Sequence, residues 1–148
     1  MTDHRPLPEP DAFLGYTLVR VAHVIERRIE QRLRQELGLT VRQFGALAHL
    51  DHDPGIGSGK LARLLMITPQ SAGPLVDGLA TRGLVDRDCD ARPGTRMAVS
   101  LTTAGKAALV AGYAIAGTAN DEDFAVLSAA QRAVVNEALH AVLAALMP

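Results

Sequence analysis

The sequence predicts a mainly α-helical protein with one small β-hairpin. Three observations support this prediction: 48% of the residues are hydrophobic but only 3% are aromatic, apolar residues recur at helical spacing through most of the chain, and one short segment alternates. Alanine and leucine favour helices, and a period of two favours a strand. The 148 residues fit one integrated domain.

The first periodic segment covers residues 11–38. Its apolar residues recur every three or four positions from Leu14 to Leu33, and Gly38 is a typical helix end. Residues 1–10 contain three prolines and are predicted to form a flexible arm.

Three shorter helices are predicted in the next part of the chain. The first begins with a capping box, in which Thr40 and Gln43 each accept a hydrogen bond from the other's backbone N–H. Ser58 is expected to cap the second helix. The third begins with Thr68 as the cap and Pro69 at the first helical position, and Gly83 is expected to end it. Its periodicity predicts an inward face of Ala72, Leu75, Val76 and Leu79, with Gln70 and Ser71 on the outward face.

Two strands, at 84–88 and 95–101, follow the third short helix. Pro93 and Gly94 lie between them and favour a turn, so the pair is predicted to form a hairpin.

The C-terminal part is predicted to hold two further helices. Thr102 is expected to cap a helix that runs to about residue 118, and an acidic break is expected at 120–123. A second capping box, Ser128 with Gln131, then opens the last helix.

Charge is unevenly distributed along the chain. The net charge is −1, but residues 57–106 hold seven Lys and Arg against four Asp, and the remainder is correspondingly negative. Because phosphate binding depends on the local field, the overall balance does not exclude nucleic acid.

Residues 39–101 therefore predict a winged helix-turn-helix. In this arrangement one short helix braces against the DNA backbone, the next enters the major groove, and the hairpin reaches the adjacent groove. The candidate DNA-binding residues are Lys60 and Arg63 on the brace helix, Thr68, Gln70 and Ser71 at the start of the recognition helix, and Arg92 and Arg96 in the hairpin, with Asp90 orienting Arg92.

These side chains suit the grooves of a duplex. A glutamine can bond an adenine edge with both ends of its amide, and a serine can donate or accept. Arginines are attracted into a narrow minor groove.

Pro74 lacks the N–H that a helix interior needs, so a kink or a short first turn is expected there. Arg82 and Arg87 could contact phosphate or be solvated, and Arg87 could instead pair with a carboxylate.

At this point the sequence resembles the MarR family of bacterial transcriptional regulators. The resemblance covers roughly residues 11–147. The matching motifs are Leu61-Ala62, Leu75-Val76-Asp77-x-Leu79-x-x-x-Gly83-Leu84-Val85-x-Arg87, Asp90-x-Arg92 and Leu101-Thr102-x-x-Gly105. Three positions depart from the family pattern: Met66-Ile67 stands where glycine is common, Pro74 lies inside the recognition helix, and Gly78 replaces a basic or polar residue.

The resemblance implies a homodimer that binds palindromic DNA and represses transcription until a small phenolic or lipophilic ligand, or oxidation, relieves it. The outer segments, 11–38 and 102–148, are predicted to form the dimerisation region, because amphipathic end helices need a partner surface. The alternative is that the two ends pack together within one chain. Tyr16, His23 and Phe44 are candidate effector-pocket residues by position.

No enzyme, cofactor, metal site or membrane association is predicted, and the protein is expected in the cytoplasm. The alternative function is a winged-helix module that binds a protein and not DNA. Low net charge, Pro74 and Asp77 on the groove face favour that alternative.

Overall fold

The computed structural model describes residues 9–87 and 99–147, and within these ranges the chain is mainly helical with a two-stranded hairpin. This confirms the predicted fold class. The elements are a 3-10 turn Pro10–Ala12, α1 Leu14–Leu37, α2 Val41–His52, α3 Ser58–Leu64, α4 Pro69–Thr81, β1 Val85–Arg87, β2 Val99–Leu101, α5 Thr103–Asp123 and α6 Ala129–Leu146. The chain divides into two compact units, Met1–Ile115 and Ala116–Pro148.

The first unit has its apolar core between α2, α3, α4 and the hairpin. Leu47, Leu50, Leu61 and Leu79 are completely buried there, as is Val76. These residues come from the apolar stripes that the sequence predicts for the three short helices. Packing of those stripes fixes the outward faces of α3 and α4.

Several helix ends follow the predicted signals. Gly38 ends α1 with a positive φ of 63°, and Gly83 follows α4 with a φ of 68°. Both capping boxes are present, at Thr40 on α2 and at Ser128 on α6. A residue without a side chain adopts a positive φ without steric cost, which is why glycine suits these ends.

Three boundaries differ from the prediction. α1 begins at Leu14, because Pro10–Ala12 forms a separate 3-10 turn. Ser58 is the first residue of α3 and makes no capping bond; Gly57 precedes the helix. The acidic break expected at 120–123 is wrong, because α5 continues to Asp123 and Phe124 N still donates to Asn120 O at 3.1 Å. Backbone hydrogen bonding continues through this acidic stretch, where Asp121 Oδ1 also lies 3.3 Å from Arg132 Nη1.

The hairpin is antiparallel, with Val85 opposite Leu101 and Arg87 opposite Val99. The two valines are buried and anchor the hairpin to the core. Within the predicted strands, 85–87 and 99–101 are confirmed; residues 88–98 lie outside the described part of the chain.

The start of α5 lies against the end of the α4–β1 connection. Thr102 Oγ1 donates to Gly83 O at 2.7 Å and accepts from Gly105 N at 3.0 Å, so it caps the helix as predicted. Thr102 N donates to Leu84 O at 3.1 Å. A Cβ added to Gly105 would lie 1.9 Å from Leu84 O. Glycine is therefore required here by close approach of two backbone segments.

The turn between α3 and α4 holds Met66 in the left-handed region, with a φ of 53°. Its side chain is 84% exposed and so gains little from packing. Met66 belongs to the Met66-Ile67 pair that stands where glycine is common in the family pattern. The left-handed conformation costs a residue with a Cβ about 1–2 kcal/mol.

Replacing Met66 with glycine is expected to raise the free energy of unfolding by about 0.5–1 kcal/mol, because relief of the left-handed strain exceeds glycine's greater freedom in the unfolded chain. Urea unfolding followed by circular dichroism measures the change. Met66→Ala is the matched control, since it removes the same side chain and keeps the strain. An equal gain in both variants would contradict the backbone explanation.

No helix in the two described ranges is both long enough and apolar enough to cross a membrane.

Candidate nucleic-acid interface

The α4 helix has one buried and one exposed face. Ala72, Val76 and Leu79 are completely buried against the core, whereas Gln70 and Ser71 are exposed. The predicted division of this helix into an inner and an outer face is therefore correct. The exposed face displays groups that can hydrogen bond to base edges.

The first turn of α4 is arranged differently from the prediction. Thr68 precedes the helix with an extended backbone, but its side chain makes no capping bond to the backbone. Instead, Thr68 Oγ1 and Ser71 Oγ are hydrogen bonded to each other at 2.8 Å. The two hydroxyls thus form one exposed polar pair at the start of the helix, beside Gln70.

The short first turn that was one of the two expectations for Pro74 is not observed, and the kink stays a prediction. α4 runs without interruption from Pro69 to Thr81, with Pro74 inside it on the exposed face. This helix contains no lysine or arginine, and its single charged residue is Asp77.

Asp77 is paired with an arginine from the hairpin. Arg87 Nη2 lies 2.9 Å from Asp77 Oδ1 and also donates to Gly73 O at 3.4 Å. The sequence leaves open whether Arg87 contacts phosphate, is solvated or pairs with a carboxylate. The structure supports pairing with a carboxylate. Exposed pairs stabilise a fold only weakly, so the main effect is to offset the negative charge on the outer face of α4.

The brace helix α3 carries two cations in different settings. Lys60 Nζ lies 3.0 Å from Asp53 Oδ2, so its charge is shared with a neighbouring carboxylate. Arg63 is exposed near the C-terminal end of the helix. The roles of Lys60 and Arg63 as phosphate contacts stay predictions.

The hairpin candidates Asp90, Arg92 and Arg96 lie outside the described residues. Their predicted roles at the groove stay predictions.

Arg82 has a partner that the sequence does not reveal. It is the C-cap of α4, and its guanidinium donates to Gly38 O at 2.8 Å and to Leu37 O at 3.0 Å. These carbonyls are 44 and 45 residues away in the chain. No local pattern could have predicted this contact.

The three effector-pocket candidates lie on two helices. Tyr16 and His23 are exposed on α1, and the Arg20 guanidinium lies 5.8 Å from the Tyr16 ring centroid. Phe44 of α2 packs edge-on against Tyr113, with ring centroids 5.3 Å apart. It also covers Gly112, where an added Cβ would lie 2.5 Å from the Phe44 ring. Their role in binding an effector stays a prediction.

Taken together, a brace helix, an exposed polar helix and a hairpin anchored to the same core form a winged helix-turn-helix, an arrangement of DNA-binding proteins. A sequence model of the MarR family matches residues 37–93. The HTH-type transcriptional repressor Rv2887 of Mycobacterium tuberculosis is 34% identical over 122 residues, which cover 82% of this chain and 87% of that protein.

Solved structures of MarR family proteins are also similar to this chain. The crystal structure of Rv2887 in complex with DNA has a TM-score of 0.72 and 32% identity, and the match covers 89% of this chain and 98% of that one. The structure of Rv2887 with salicylic acid has a TM-score of 0.72 and 29% identity, covering 96% and 99%.

The chain belongs to the MarR family. Proteins of this family are dimeric, DNA-binding transcriptional regulators, so this protein is a regulator and not an enzyme. The identification made from the sequence motifs is confirmed.

Proposed function

We propose that this protein is a repressor that binds palindromic duplex DNA as a homodimer and releases it when a small phenolic ligand binds. The observation that carries the proposal is the outer face of α4, where Gln70, Ser71 and Thr68 are exposed on a helix whose opposite face is buried. Such a helix can enter the major groove without disturbing its own core.

The exposed apolar surface of α6 supports the homodimer. Leu139, Val142, Leu143 and Leu146 recur at helical spacing, yet α6 contains no buried residue. On α1, Leu14 and other apolar residues are also exposed. A second copy would bury these surfaces and remove the apolar area from water. The outer segments, 11–38 and 102–148, are accordingly proposed as the dimerisation region.

In the dimer, each α4 would read one half-site. The half-site centres are expected about 10 base pairs apart, because the two recognition helices then face the same side of the duplex. Gln70 would bond a base edge, Ser71 and Thr68 would contact a base or phosphate, and Arg92 and Arg96 of the hairpin would anchor the adjacent groove, with Asp90 orienting Arg92.

Selection from a random-sequence duplex library by the purified protein tests this proposal. An enriched palindrome with this spacing is the expected result, with affinity that falls steeply as salt rises. Absence of enrichment by a folded dimer, together with salt-insensitive capture of a protein partner, would instead support the protein-interaction module.

Arg63→Gln is expected to weaken binding to specific and unrelated duplexes by the same factor. The slope of log affinity against log salt should become shallower by about two, one phosphate contact for each copy in the dimer. Fluorescence anisotropy at a series of salt concentrations measures both quantities. An unchanged slope would remove Arg63 from the interface. Lys60→Gln should give a smaller change, because Asp53 already shares the charge of Lys60.

The proposed effector is a small phenol. Rv2887 has been crystallised with salicylic acid, and Tyr16, His23 and Phe44 are the proposed pocket residues in this chain. An effector acts only through its differential affinity for the free and DNA-bound forms. Addition of salicylic acid to the selected complex is therefore expected to release DNA. Phe44→Ala is expected to reduce that release.

As a DNA-binding regulator, the protein is proposed to act in the cytoplasm.

A further inference from the structure

The C-terminal end of α1 has two kinds of hydrogen-bonding partner. The backbone closes the helix on itself, since Gly38 N donates to Arg34 O at 3.0 Å and Leu39 N donates to Leu33 O at 3.2 Å. The carbonyls of Leu37 and Gly38 are bonded instead by the side chain of Arg82. The end of α1 is therefore stabilised partly by its own backbone and partly by a side chain from outside the helix.

Arg82 directly follows the last residue of the recognition helix. It is the C-cap of α4, and its own N–H donates to Gly78 O at 3.3 Å. Its planar guanidinium can bond two carbonyls at once in a fixed geometry. The positive charge also lies at the negative end of the α1 dipole, where a cation is favourable. One residue thus joins the end of α4 to the end of α1.

A second connection lies at the start of α2. Glu30 of α1 accepts a hydrogen bond from Val41 N at Oε2, 2.6 Å away, and one from Arg34 Nε at Oε1, 2.7 Å away. The carboxylate therefore bonds the first turn of α2, where negative charge is favourable. The last two turns of α1 are held both to the start of α2 and to the end of α4.

We propose that Arg82 is a positioning residue that holds the recognition helix at a fixed angle to α1 and thereby sets the separation of the two recognition helices in the dimer. This inference rests on the proposed function, in which α1 belongs to the dimerisation region. Arg82 would act through Leu37 O and Gly38 O and would not touch DNA.

A positioning role and a phosphate contact lead to different expected affinities for two duplexes, one with the complete operator and one with a single half-site. An operator with two half-sites requires both recognition helices at the correct separation, whereas a short duplex with one half-site requires only one. Loosening the contact should therefore weaken binding to the complete operator alone. Arg82→Lys is the informative change, because lysine keeps the charge but loses the two-pronged geometry.

Arg82→Lys is expected to lower affinity for the selected operator about tenfold, within the range for residues that modulate coupling without ligand contact. Its affinity for the single half-site and its salt slope should stay unchanged. Arg63→Gln, the matched change of an exposed arginine, should weaken both duplexes and flatten the slope. Equal losses on both duplexes for Arg82→Lys would overturn the proposal, as would a flattened slope for Arg82→Gln.

A measurement without DNA separates this inference from the proposed function. Spin labels on Thr81→Cys, in a Cys89→Ser background, report the distance between the two α4 helices of the dimer. Arg82→Lys and Arg82→Gln are expected to broaden that distance distribution, with circular dichroism confirming the fold. An unchanged distribution overturns the inference even if the wild-type protein binds its operator. Failure of the wild-type protein to bind any duplex overturns the proposed function, while broadening would still support the positioning role.

Discussion

Gly105→Ala is expected to lower the free energy of unfolding by about 3 kcal/mol or more, the upper range for overpacking a well-packed site. The new Cβ would lie 1.9 Å from Leu84 O, so the start of α5 must move away from the α4–β1 connection. That movement strains the bonds from Thr102 to Gly83 O and Leu84 O. Backbone atoms lie on both sides of the clash, and no side-chain rotation relieves it. Urea unfolding measures the loss.

Gly117→Ala provides the matched control within the same helix. Nothing lies within 4 Å of a Cβ added to Gly117. Alanine in an exposed helical position is favoured over glycine by up to about 1 kcal/mol, so this variant should be slightly more stable. If the two alanine variants changed stability by the same amount, the close approach of Gly105 to Leu84 would not be the cause.

Gln70→Glu is expected to reduce affinity for the selected operator by about 100-fold. The change keeps the shape of the side chain but places a carboxylate in the groove. A good base contact contributes about 1–3 kcal/mol, and a dimer loses two of them. Affinity for unrelated duplexes should fall much less, because those complexes depend on phosphate contacts. Anisotropy titrations with operator and scrambled duplexes give the two values.

Gln131→Glu makes the same chemical change away from the proposed interface. Gln131 belongs to the capping box of α6, and glutamate also serves in such a box. Operator binding by this variant should match the wild type. A similar loss in both variants would attribute the effect to overall charge and would remove Gln70 from the base-reading role.

Features with a local cause could be predicted from the sequence. The capping boxes at Thr40 and Ser128 and the glycine ends at Gly38 and Gly83 depend on residues a few positions apart. The faces of α4 likewise follow from its periodicity. The same reasoning correctly predicted which side of the recognition helix is exposed.

Features that depend on tertiary approach could not be predicted. Arg82 contacts the carbonyls at the end of α1, and Arg87 of the hairpin contacts Asp77 of α4. No spacing rule describes these contacts. Thr68 was expected to cap α4, but bonds Ser71 instead. Residues 120–123 predict a break because they are polar and acidic. They form the last turn of α5 instead, because the alanine-rich helix before them favours continued helical bonding.

The absence of lysine and arginine from α4 has a consequence for how the protein searches a genome. Affinity for arbitrary DNA comes from cations against phosphate. A recognition helix whose one carboxylate is offset by Arg87 adds hydrogen-bonding groups but no net attraction to the backbone. In the proposed complex, attraction to arbitrary sites would therefore come from cations outside α4, such as Arg63, and discrimination between sites from the hydrogen-bonding groups of α4.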